Sequence, residues 1–406
     1  MARLLLLIPT TSYRVKDFLA AAYKANVAVT VGSDAENVLS EFASSGTLWV
    51  NFEDLEGGVK TILAFNQEHP VNSIIAVDEP SSLLAAKASE QLKLPHNTFE
   101  SVKTATNKNL FRKAIKDAGL PGPIFTVLKS GQEKEKFEDV IEYPCVLKPI
   151  SQSASRGVIR VNNRSEFISA YDRVTKIVPD EDIIAEEFLP GQEVSVEGIL
   201  INGRLTTLAI FDKPDPLDGP FFEETIYVTW SRHSDEVQGA LHNMVEQAAA
   251  AIGLKEGPVH AELRLRPSES FINEQGPWVI EIAARSIGGL CSRSLIFEGG
   301  GTLEELIIAH ALGRPISSTE REKQASGVMM IPIPKSGIFK STRGELAARS
   351  VKNITDVEIS IKSGAKVIPL PEGNQYLGFI FAKGNSPNAV ELALRKAQKC
   401  LKFEII

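Results

Sequence analysis

The first 95 residues or so alternate short apolar runs with helical stretches, and this alternation constrains the fold more than any other feature of the chain. Buried strands are predicted for RLLLLIP, NVAVTVG, TLWVNF and SIIAVD. Helices are predicted for DFLAAAYKA, DLEGGVKTILAFNQ and SSLLAAKASEQL. Because parallel strands are joined by helical crossovers, this order predicts a parallel sheet of the doubly wound type.

The sequence texture changes after residue 102, where one helical segment is followed by many strands. The helix is predicted for NKNLFRKAIKDAG, and the strands for VLKPI, GVIRV, DIIAEEF, EVSVEGILI, RLTTLAIF, TIYVTW, VHAELRLR and WVIEIAA. Turn sequences such as ING fit antiparallel hairpins, so an α+β body is expected. After PISSTEREKQ, more strand-like runs and the helical AVELALRKAQKCL form a third unit. We therefore predict an α/β unit at 1–102, an α+β body at 103–318 and an α+β unit at 319–406.

Composition narrows the class of protein. The 406 residues are 43% hydrophobic and 23% charged, which is enough to bury the cores of two or three domains. The net charge of -7 argues against a nucleic-acid partner, which would need a basic face. The three cysteines are scattered, which favours a reducing compartment, and no apolar run approaches the roughly 18 residues of a membrane span. We expect a cytoplasmic protein without a membrane partner.

The first strand-to-helix crossing reads IPTTSYR and lacks the G-x-G-x-x-G pattern. Those glycines let a dinucleotide pyrophosphate approach the backbone closely. A nicotinamide oxidoreductase is therefore disfavoured.

A cation stands at the end of an apolar strand in the stretch PCVLKPISQSASRGV. An ammonium group buried without a partner costs several kcal/mol or loses its proton, so Lys148 needs an anion or a solvent-facing cleft. The next residues, 151–157, form a loop with small hydroxyl side chains, which we call the serine loop. Ser153 and Ser155 supply hydroxyl and backbone donors, and Gly157 permits close backbone approach, a combination that suits phosphates. A strand-end lysine followed by an ordinary surface loop is the alternative.

A second candidate segment is IIAEEFLPGQEVSVEG. It places Glu186, Phe188 and Leu189 at a strand end, where the extended backbone could pair with the edge of an adenine ring. Glu193 opens the next strand and could accept hydrogen bonds from ribose hydroxyls. The alternative is a plain corner between two strands with solvated acids.

The third candidate segment is a pair of strands whose residues alternate between two faces. In VHAELRLR, the polar face carries His260, Glu262, Arg264 and Arg266. In VIEIAAR, one face carries Glu281, Ala283 and Arg285, and the opposite face carries Ile280, Ile282 and Ala284.

A hairpin centred on Phe271–Ile272 would place Glu262 directly opposite Glu281, although a bulge would shift this register. Like charges opposed across strands repel unless a cation lies between them. Mg²⁺ typically takes one or two carboxylates and completes its shell with water and phosphate oxygens. The pair therefore predicts a metal site, with an exposed hairpin of alternating charge as the alternative.

The order of these segments resembles the ATP-grasp superfamily nearly end to end, in which two α+β subdomains hold ATP between them. The resemblance implies ATP and Mg²⁺ (or Mn²⁺) as cofactors, with a small lid at about 120–190 and a larger part at 191–318. It implies nucleotide contacts from Lys108, Lys148, Ser153, Ser155, Gly157, Glu186, Phe188, Leu189 and Glu193. It also implies that Glu262 and Glu281 hold the metal. Many members have Asn where Ala283 stands, which bears on how a second metal ion is held.

The C-terminal unit resembles that of the bacterial L-amino acid ligases, on ASGVMMIPIPKSGIF, ITDVEISIKSGAKVIPLPEGNQYLGFIFAKG and the last helix. ARSIGG is similar to their substrate loop, which implies a substrate role for Gly288 and Gly289 and a catalytic role for Arg285 with Lys148. These enzymes join two amino acids, or an amino acid and a related carboxylate, through an acyl phosphate.

This resemblance implies small-molecule substrates and leaves a homodimer open. His260 and Glu79 are weaker substrate candidates: His260 lies on the Glu262 face, and Glu79 lies at a strand end where doubly wound sheets bind ligands. A purine-pathway ligase or carboxylase of the same superfamily is the nearest alternative function. A nucleotide-binding module without catalysis is the alternative from another class.

Overall fold

The computed structural model describes residues 2–35, 45–131, 142–266, 277–316 and 318–406. The predicted hairpin centre at Phe271–Ile272 lies outside these residues. Within them, no helix combines the length and the apolarity that crossing a membrane would require.

The N-terminal unit is the parallel sheet that the strand–helix alternation predicts. Its strands lie in the order β3-β2-β1-β4 and all pair in parallel. Its elements are β1 (Arg3–Leu7), α1 (Val15–Lys24), β2 (Ala28–Ser33), β3 (Thr47–Trp49), α2 (Leu55–Glu68), β4 (Ser73–Ala76) and α3 (Ser82–Leu92). The central strand β1 is buried from Leu4 to Leu7, as expected for a sheet covered by helices on both faces.

A second, antiparallel sheet follows two short helices. Its strand order is β5-β8-β6-β7, and α6 packs against β6 and β7. The elements here are α4 (Phe99–Thr106), α5 (Lys108–Asp117), β5 (Phe125–Leu128), β6 (Cys145–Pro149), β7 (Ile159–Val161), α6 (Arg164–Ile177) and β8 (Ile183–Glu187). We call this sheet with α6 the lid sheet. Strand β5, with the sequence FTVL, is one that the sequence analysis did not predict.

The largest sheet runs through both the body and the C-terminal unit. In the described residues its order is β13-β12-β9-β10-β11-β16-β20-β18. The body elements are β9 (Glu193–Ile201), β10 (Arg204–Asp212), β11 (Ile226–Thr229), α7 (Asp235–Ala251), β12 (Gly257–Arg264), β13 (Trp278–Ala283), β14 (Ile296–Phe297), β15 (Gly301–Thr302) and α8 (Leu303–Ala311).

The C-terminal unit adds further strands to that sheet and a small sheet of its own. Its elements are β16 (Ala325–Ile331), β17 (Gly337–Arg343), α9 (Glu345–Arg349), β18 (Ile354–Ile359), β19 (Lys366–Val367), β20 (Gly378–Gly384), α10 (Pro387–Cys400) and β21 (Lys402–Ile405). Strand β11 pairs directly with β16, so the sheet crosses the position where residues 318 and 319 were predicted to divide two units. The mixed α/β and α+β fold class is confirmed.

The alternation predicted for β12 is confirmed by its packing. Val259, Ala261 and Leu263 are fully buried in one core cluster with α7. Their polar neighbours His260, Glu262 and Arg264 line a cleft on the opposite face. Strand β12 therefore works as a partition, with an apolar core on one side and the polar cleft on the other.

Candidate functional site

The cleft lies between the lid sheet and the large sheet, and all three sequence units contribute to it. It is lined by Asp78 and Glu79, Lys108, Lys148, Ser153 to Ser155, Glu186 to Leu189, Glu193, Glu224, His260, Glu262, Arg264, Glu281, Arg285, Gly288, Gly289, Asn374 and Tyr376. The structure thus brings together every predicted site residue except Gly157, which does not line this cleft.

Lys148 ends strand β6, and its predicted need for an anion is met by Glu186 on the neighbouring strand β8. The Lys148 ammonium donates to a Glu186 carboxylate oxygen at 2.6 Å. Arg112 of α5 donates to both oxygens of the same carboxylate, at 2.7 and 3.1 Å. Burial raises the pKa of Glu186, but the two cations outweigh it and lower that pKa to about 2. Burial lowers the pKa of Lys148, and Glu186 opposes that shift.

The side chain of Glu186 is therefore a counter-ion in this structure. Its backbone lies in the middle of the lid sheet, paired with Phe125 on one side and Val146 on the other. The backbone predicted to pair with an adenine edge continues past Glu186, from Glu187 to Leu189. The N–H groups of Glu187 and Phe188 donate to the carbonyls of Ile124 and Pro144, at 2.8 and 3.0 Å. The N–H of Leu189 has no hydrogen-bond partner among the described residues.

Lys108 is the first residue of α5, and the Asn107 side chain caps this helix by accepting from the Leu110 N–H at 3.0 Å. The Lys108 backbone N–H donates to the carbonyl of Ile150, which fixes the helix start against the end of β6. Its ammonium donates to the Gln152 carbonyl in the serine loop and lies 4.0 Å from a Glu281 oxygen. Lys108 thus lies between the serine loop and a predicted metal ligand.

The serine loop presents Ser153, Ala154 and Ser155 to the cleft. Ala154 and Ser155 both have positive φ, 54° and 56°, in the left-handed region that side chains other than glycine rarely adopt. Consecutive left-handed residues turn the backbone sharply. Gly157 instead turns its N–H away and donates to the Pro371 carbonyl at 2.8 Å. That N–H is already satisfied by the C-terminal unit.

The ring of Phe188 is in contact with two guanidinium groups. The Arg160 guanidinium lies 3.9 Å from its ring centroid and that of Arg264 lies 5.2 Å away, both in the range of cation–π contacts. Arg264 also donates to Glu193 at 3.1 Å and to the Leu189 carbonyl at 2.9 Å. These contacts join the end of the lid sheet to β12 and fix one wall of the cleft.

The predicted register of the two glutamates is confirmed: Glu262 of β12 pairs directly with Glu281 of β13. Their side chains are 21% and 31% exposed, so both reach the cleft. A bulge follows immediately, because Leu263 pairs with Val279 and leaves Ile280 as the extra residue. The prediction that Ile280 lies on the face opposite Glu281 is wrong. The bulge turns Ile280 to the cleft beside Glu281.

Lys213 is a central residue that the sequence analysis missed. It follows β10, and its ammonium lies among three carboxylates: 2.8 Å from Glu193, 2.5 Å from Glu224 and 3.0 Å from Glu262. Oxygens of these glutamates lie within 4.8 Å of one another. Burial lowers the pKa of Lys213, but the three carboxylates raise it well above its usual value.

The environment of Glu224 and Glu262 pushes their pKa values in opposite directions. Burial and the neighbouring Glu262 raise the pKa of Glu224 to about 7. Burial raises the pKa of Glu262 too, but Lys213 and His260 outweigh it and lower that pKa well below its usual value. Glu262 therefore favours its ionised form, as its predicted role in holding a metal requires.

His260 lies beside Glu262 and is held from behind by Glu197. Its Nδ1 is 3.1 Å from Glu197 and its Nε2 is 3.7 Å from Glu262. Burial lowers the pKa of His260, but hydrogen bonds to these carboxylates raise it to about 9. Glu197 is fully buried and also accepts from the Ile287 N–H at 3.0 Å. His260 is thus a charged, fixed side chain at the rim of the glutamate pair.

The far end of the cleft is formed by the segment after β13. Arg285 donates to Glu79 at 3.3 Å, and Gly288 and Gly289 line the wall next to it. Burial raises the pKa of Glu79, and Arg285 opposes this shift. Glu79 belongs to a short 3₁₀ turn, Glu79–Ser81, at the end of β4, where the doubly wound sheet predicted a ligand. The ion pair of Glu79 with Arg285 therefore joins the end of β4 to the segment after β13.

Two carboxylates on adjacent strands, with Lys108 and Lys213 beside them, fit a divalent ion that also binds phosphates. Glu262 and Glu281 supply oxygens, and Lys108, Lys148 and Lys213 supply the positive charge that a triphosphate needs. No cysteine or neutral histidine ligand competes within this pair, which suits a hard cation over zinc.

Comparison with known families agrees with this geometry. Residues 141–294 match the model of the ATP-grasp domain, and residues 329–405 match the model of the L-amino acid ligase C-terminal domain 2.

Similar proteins span the chain to different extents. Dapdiamide A synthase of Enterobacter agglomerans is 25% identical over 242 residues, covering 58% of this chain and 55% of that protein. Alanine–anticapsin ligase of Bacillus subtilis (strain 168) is 25% identical over 291 residues, covering 65% of this chain and 60% of that protein. The matched part is thus little more than half the length of these curated relatives.

The match to one solved structure is nearly complete. The crystal structure of an L-amino acid ligase from Bacillus licheniformis superposes with a TM-score of 0.83 and 27% identity, covering 100% of this chain and 99% of that one. Sequence models, relatives and fold all agree. The chain therefore carries an ATP-grasp domain followed by an L-amino acid ligase C-terminal domain.

Proposed function

We propose that the protein is an ATP-dependent carboxylate–amine ligase that forms a dipeptide-like amide and releases ADP and phosphate. The observation that carries this proposal is the direct pairing of Glu262 with Glu281 in a cleft that also holds three lysines. The names of the similar ligases support an amide product. Amino acids or related small carboxylates and amines are the proposed substrates.

The nucleotide would lie between the lid sheet and the large sheet. The Leu189 N–H, which no described residue accepts from, offers a donor to the adenine edge, and Phe188 forms part of the adjoining wall. The Glu193 carboxylate accepts from Lys213 and Arg264 and keeps further lone pairs for ribose hydroxyls. Lys108 and Lys148 reach the same cleft and would hold the phosphates, together with the hydroxyls of Ser153 and Ser155.

Glu262 and Glu281 would hold Mg²⁺ or Mn²⁺, which supplies neutralisation of the triphosphate charge when bound. Lys213 lies 3.0 Å from a Glu262 oxygen and is therefore placed to stabilise charge next to that ion. Positioning and charge neutralisation provide most of the catalysis of phosphoryl transfer, so fixed cations on several sides suit this reaction.

The chemistry proceeds in two displacements. A carboxylate oxygen of the first substrate bonds to the γ-phosphorus as the bond from that phosphorus to the bridging oxygen breaks, giving an acyl phosphate and ADP. The amine of the second substrate then bonds to the acyl carbon, phosphate leaves, and the amine proton passes to solvent. Arg285, at the far end of the cleft, would stabilise the acyl phosphate and the oxyanion of the second step.

The three sequence units divide this work in the proposal. Residues 1–102 supply Glu79, residues 103–318 supply the nucleotide and metal groups, and residues 319–406 close the cleft. Glu79 and His260 would contact the substrates, and Gly288 and Gly289 would let them approach the backbone.

The decisive experiment measures phosphate release by the purified protein across a matrix of amino acid pairs, with mass spectrometry of the products. We expect release that depends on both a carboxylate and an amine, with a product mass equal to the two substrates minus water. The matrix includes bicarbonate with sugar-phosphate amines, which tests the purine-type alternative. ATP binding without phosphate release in any well would support a binding module and overturn the proposal.

A further inference from the structure

The serine loop lines the cleft, and its last two residues are bonded to the C-terminal unit. Residues 369–374, which we call the C-terminal turn, contact the end of the serine loop directly. The Pro371 carbonyl accepts from the Gly157 N–H at 2.8 Å, and the Glu372 carbonyl accepts from Arg156 Nε at 3.2 Å.

An ion pair joins the same turn to the helix of the lid sheet. The Glu372 carboxylate accepts from Arg173 of α6 through both oxygens, at 2.5 and 2.9 Å. Bidentate pairing fixes orientation as well as distance. The Arg173 guanidinium also lies 4.9 Å from the ring of Phe221, which packs against the lid core. Glu372 is thus joined to the lid at the loop and at the helix.

The C-terminal turn also reaches the cleft. Asn374 and Tyr376, just beyond Glu372, line it together with Ser153 and Ser155. The Tyr376 N–H donates to the Tyr13 hydroxyl at 3.3 Å, so the end of the segment is held against the N-terminal unit. Pro371 and Glu372 thus contact the serine loop, and Asn374 and Tyr376 line the cleft.

The turn has a shape that requires glycine at one position. A Cβ at Gly373 would lie 1.8 Å from the Ile368 carbonyl oxygen, and the Gly373 N–H donates to the Pro369 carbonyl at 2.9 Å. No side chain fits there without moving the backbone. The C-terminal turn therefore has a defined conformation, and the serine loop can bind against it.

We propose that the C-terminal turn is the positioning element that holds the serine loop closed over the nucleotide, with Glu372 and Arg173 as its positioning residues. The proposal rests on the ligase function proposed above. An acyl phosphate exposed to water hydrolyses, so a loop that opens too often releases ADP without amide. The turn thereby couples ATP consumption to product formation.

The expected size of the effect follows from the exposure of the ion pair. The Arg173 and Glu372 side chains are 42% and 39% exposed, so the pair contributes little to global stability. An exposed pair of this kind shifts a closing equilibrium by roughly two- to fivefold. Loss of this ion pair should therefore change how often the loop opens and how much ADP is released without amide. The melting temperature should not change.

The test compares Glu372→Gln with Asp356→Asn, which removes a matched ion pair to Arg349 in the same unit at 44% and 47% exposure. Hydrogen exchange of residues 151–157 is followed with Mg²⁺ and a non-hydrolysable ATP analogue, and the ratio of ADP to amide is measured under turnover. Glu372→Gln should raise the exchange rate of the loop and the ratio of ADP to amide by roughly two- to fivefold each. Asp356→Asn should change neither.

Two further variants keep the result interpretable. Exchanging the charges, in Arg173→Glu with Glu372→Arg, should restore the wild-type loop exchange and ADP ratio. Gly373→Ala should reproduce the effect of Glu372→Gln without altering either charge.

The proposal is overturned if Glu372→Gln and Gly373→Ala leave loop exchange unchanged, or if Asp356→Asn raises it equally. Absence of ADP release by the wild type with every substrate pair would refute the ligase function. In that case the exchange measurement still decides whether the turn holds the loop.

Discussion

At the scale of single residues, the charges of the cleft are mutually compensated. The sequence predicted that Lys148 needs an anion, and the structure supplies one from within the protein, Glu186. The sequence could not identify this partner, because the pairing of β6 with β8 across 38 residues is a tertiary event. Lys213 could have been found: like Lys148, it comes close after an apolar run and precedes a proline.

Glu281→Gln tests the metal assignment. Its carboxylate is 31% exposed and its ion pair within the described residues is the one to Lys108 at 4.0 Å. We expect ATP turnover to fall about 100-fold or more, because a metal ligand is lost. The free energy of unfolding should change by less than about 0.5 kcal/mol, as for other partly exposed sites. Steady-state kinetics and urea denaturation measure the two quantities.

Glu320→Gln, an exposed glutamate outside the cleft, serves as the control and should leave both quantities unchanged. Full turnover in a folded Glu281→Gln variant would refute the metal site.

Glu186 should make the stability depend on pH in the acid range. Its pKa is about 2 in the folded protein against an ordinary 4.5, so the folded state favours the ionised form. The stabilisation is present above pH 4.5 and is lost as the pH falls towards 2. Because Glu186 is 2% exposed, its contribution should fall by about 1.4 kcal/mol per pH unit in that window.

Urea denaturation at several pH values between 5.5 and 3, compared between wild type and Glu186→Gln, measures this contribution. The wild type should show the steeper loss of stability. Equal slopes for the two proteins would contradict the paired state of Glu186.

At the scale of elements, periodicity predicted the two strands that carry the glutamate pair. It did not predict the bulge in β13. The alternation in VHAELRLR correctly assigns the core and cleft faces of β12. In β13 the same reasoning fails at Ile280, because a bulge adds one residue after the glutamate pair. The composition of Trp278 to Ala283 contains no glycine or other signal that marks a bulge. Such an irregularity depends on how the neighbouring strand packs.

Helix α5 is fixed to the site by Arg112, and this contact can be tested. Besides Glu186, Arg112 donates to the carbonyls of Val279 and Ile280 at 2.9 and 2.7 Å, so one side chain joins α5, β8 and β13. Arg112→Met leaves a buried carboxylate with one partner fewer and should lower the free energy of unfolding by about 3–5 kcal/mol.

Arg112→Lys keeps the charge but cannot reproduce the forked geometry, so we expect an intermediate loss in urea denaturation. Arg204→Met is the control, because Arg204 is 85% exposed in its pair with Glu246 and should change stability by less than about 1 kcal/mol. A loss for Arg112→Met no larger than that of the control would contradict this role.

At the scale of the whole molecule, the units predicted from sequence share their cores. One core cluster contains Leu4 of the N-terminal sheet, Leu306 of α8 and Phe379 of the C-terminal unit. Buried Arg14 donates to Ser286 at 2.8 Å and to Glu304 at 3.3 Å, which ties α1 to the body. Sequence texture predicts three units, but contacts between residues hundreds of positions apart leave no local pattern.

This shared core predicts cooperative unfolding. Differential scanning calorimetry should show one transition whose calorimetric and van't Hoff enthalpies agree, because one core cluster contains residues of all three units. A non-hydrolysable ATP analogue with Mg²⁺ should move that single transition upwards. Two resolved transitions, with only one shifted by nucleotide, would show that the units unfold independently.

The pairing of β11 with β16 bears on how chains of this fold can be recombined. A crossover at residue 318 would join two parents in the middle of a continuous hydrogen-bond ladder, where Ile226 pairs with Met329 and Thr229 with Ser326. A chimera made there inherits strand edges that evolved apart. If the junction is moved upstream of β11, then β11, β16, β20 and β18 come from one parent. The pairing of β11 with β16 is then preserved.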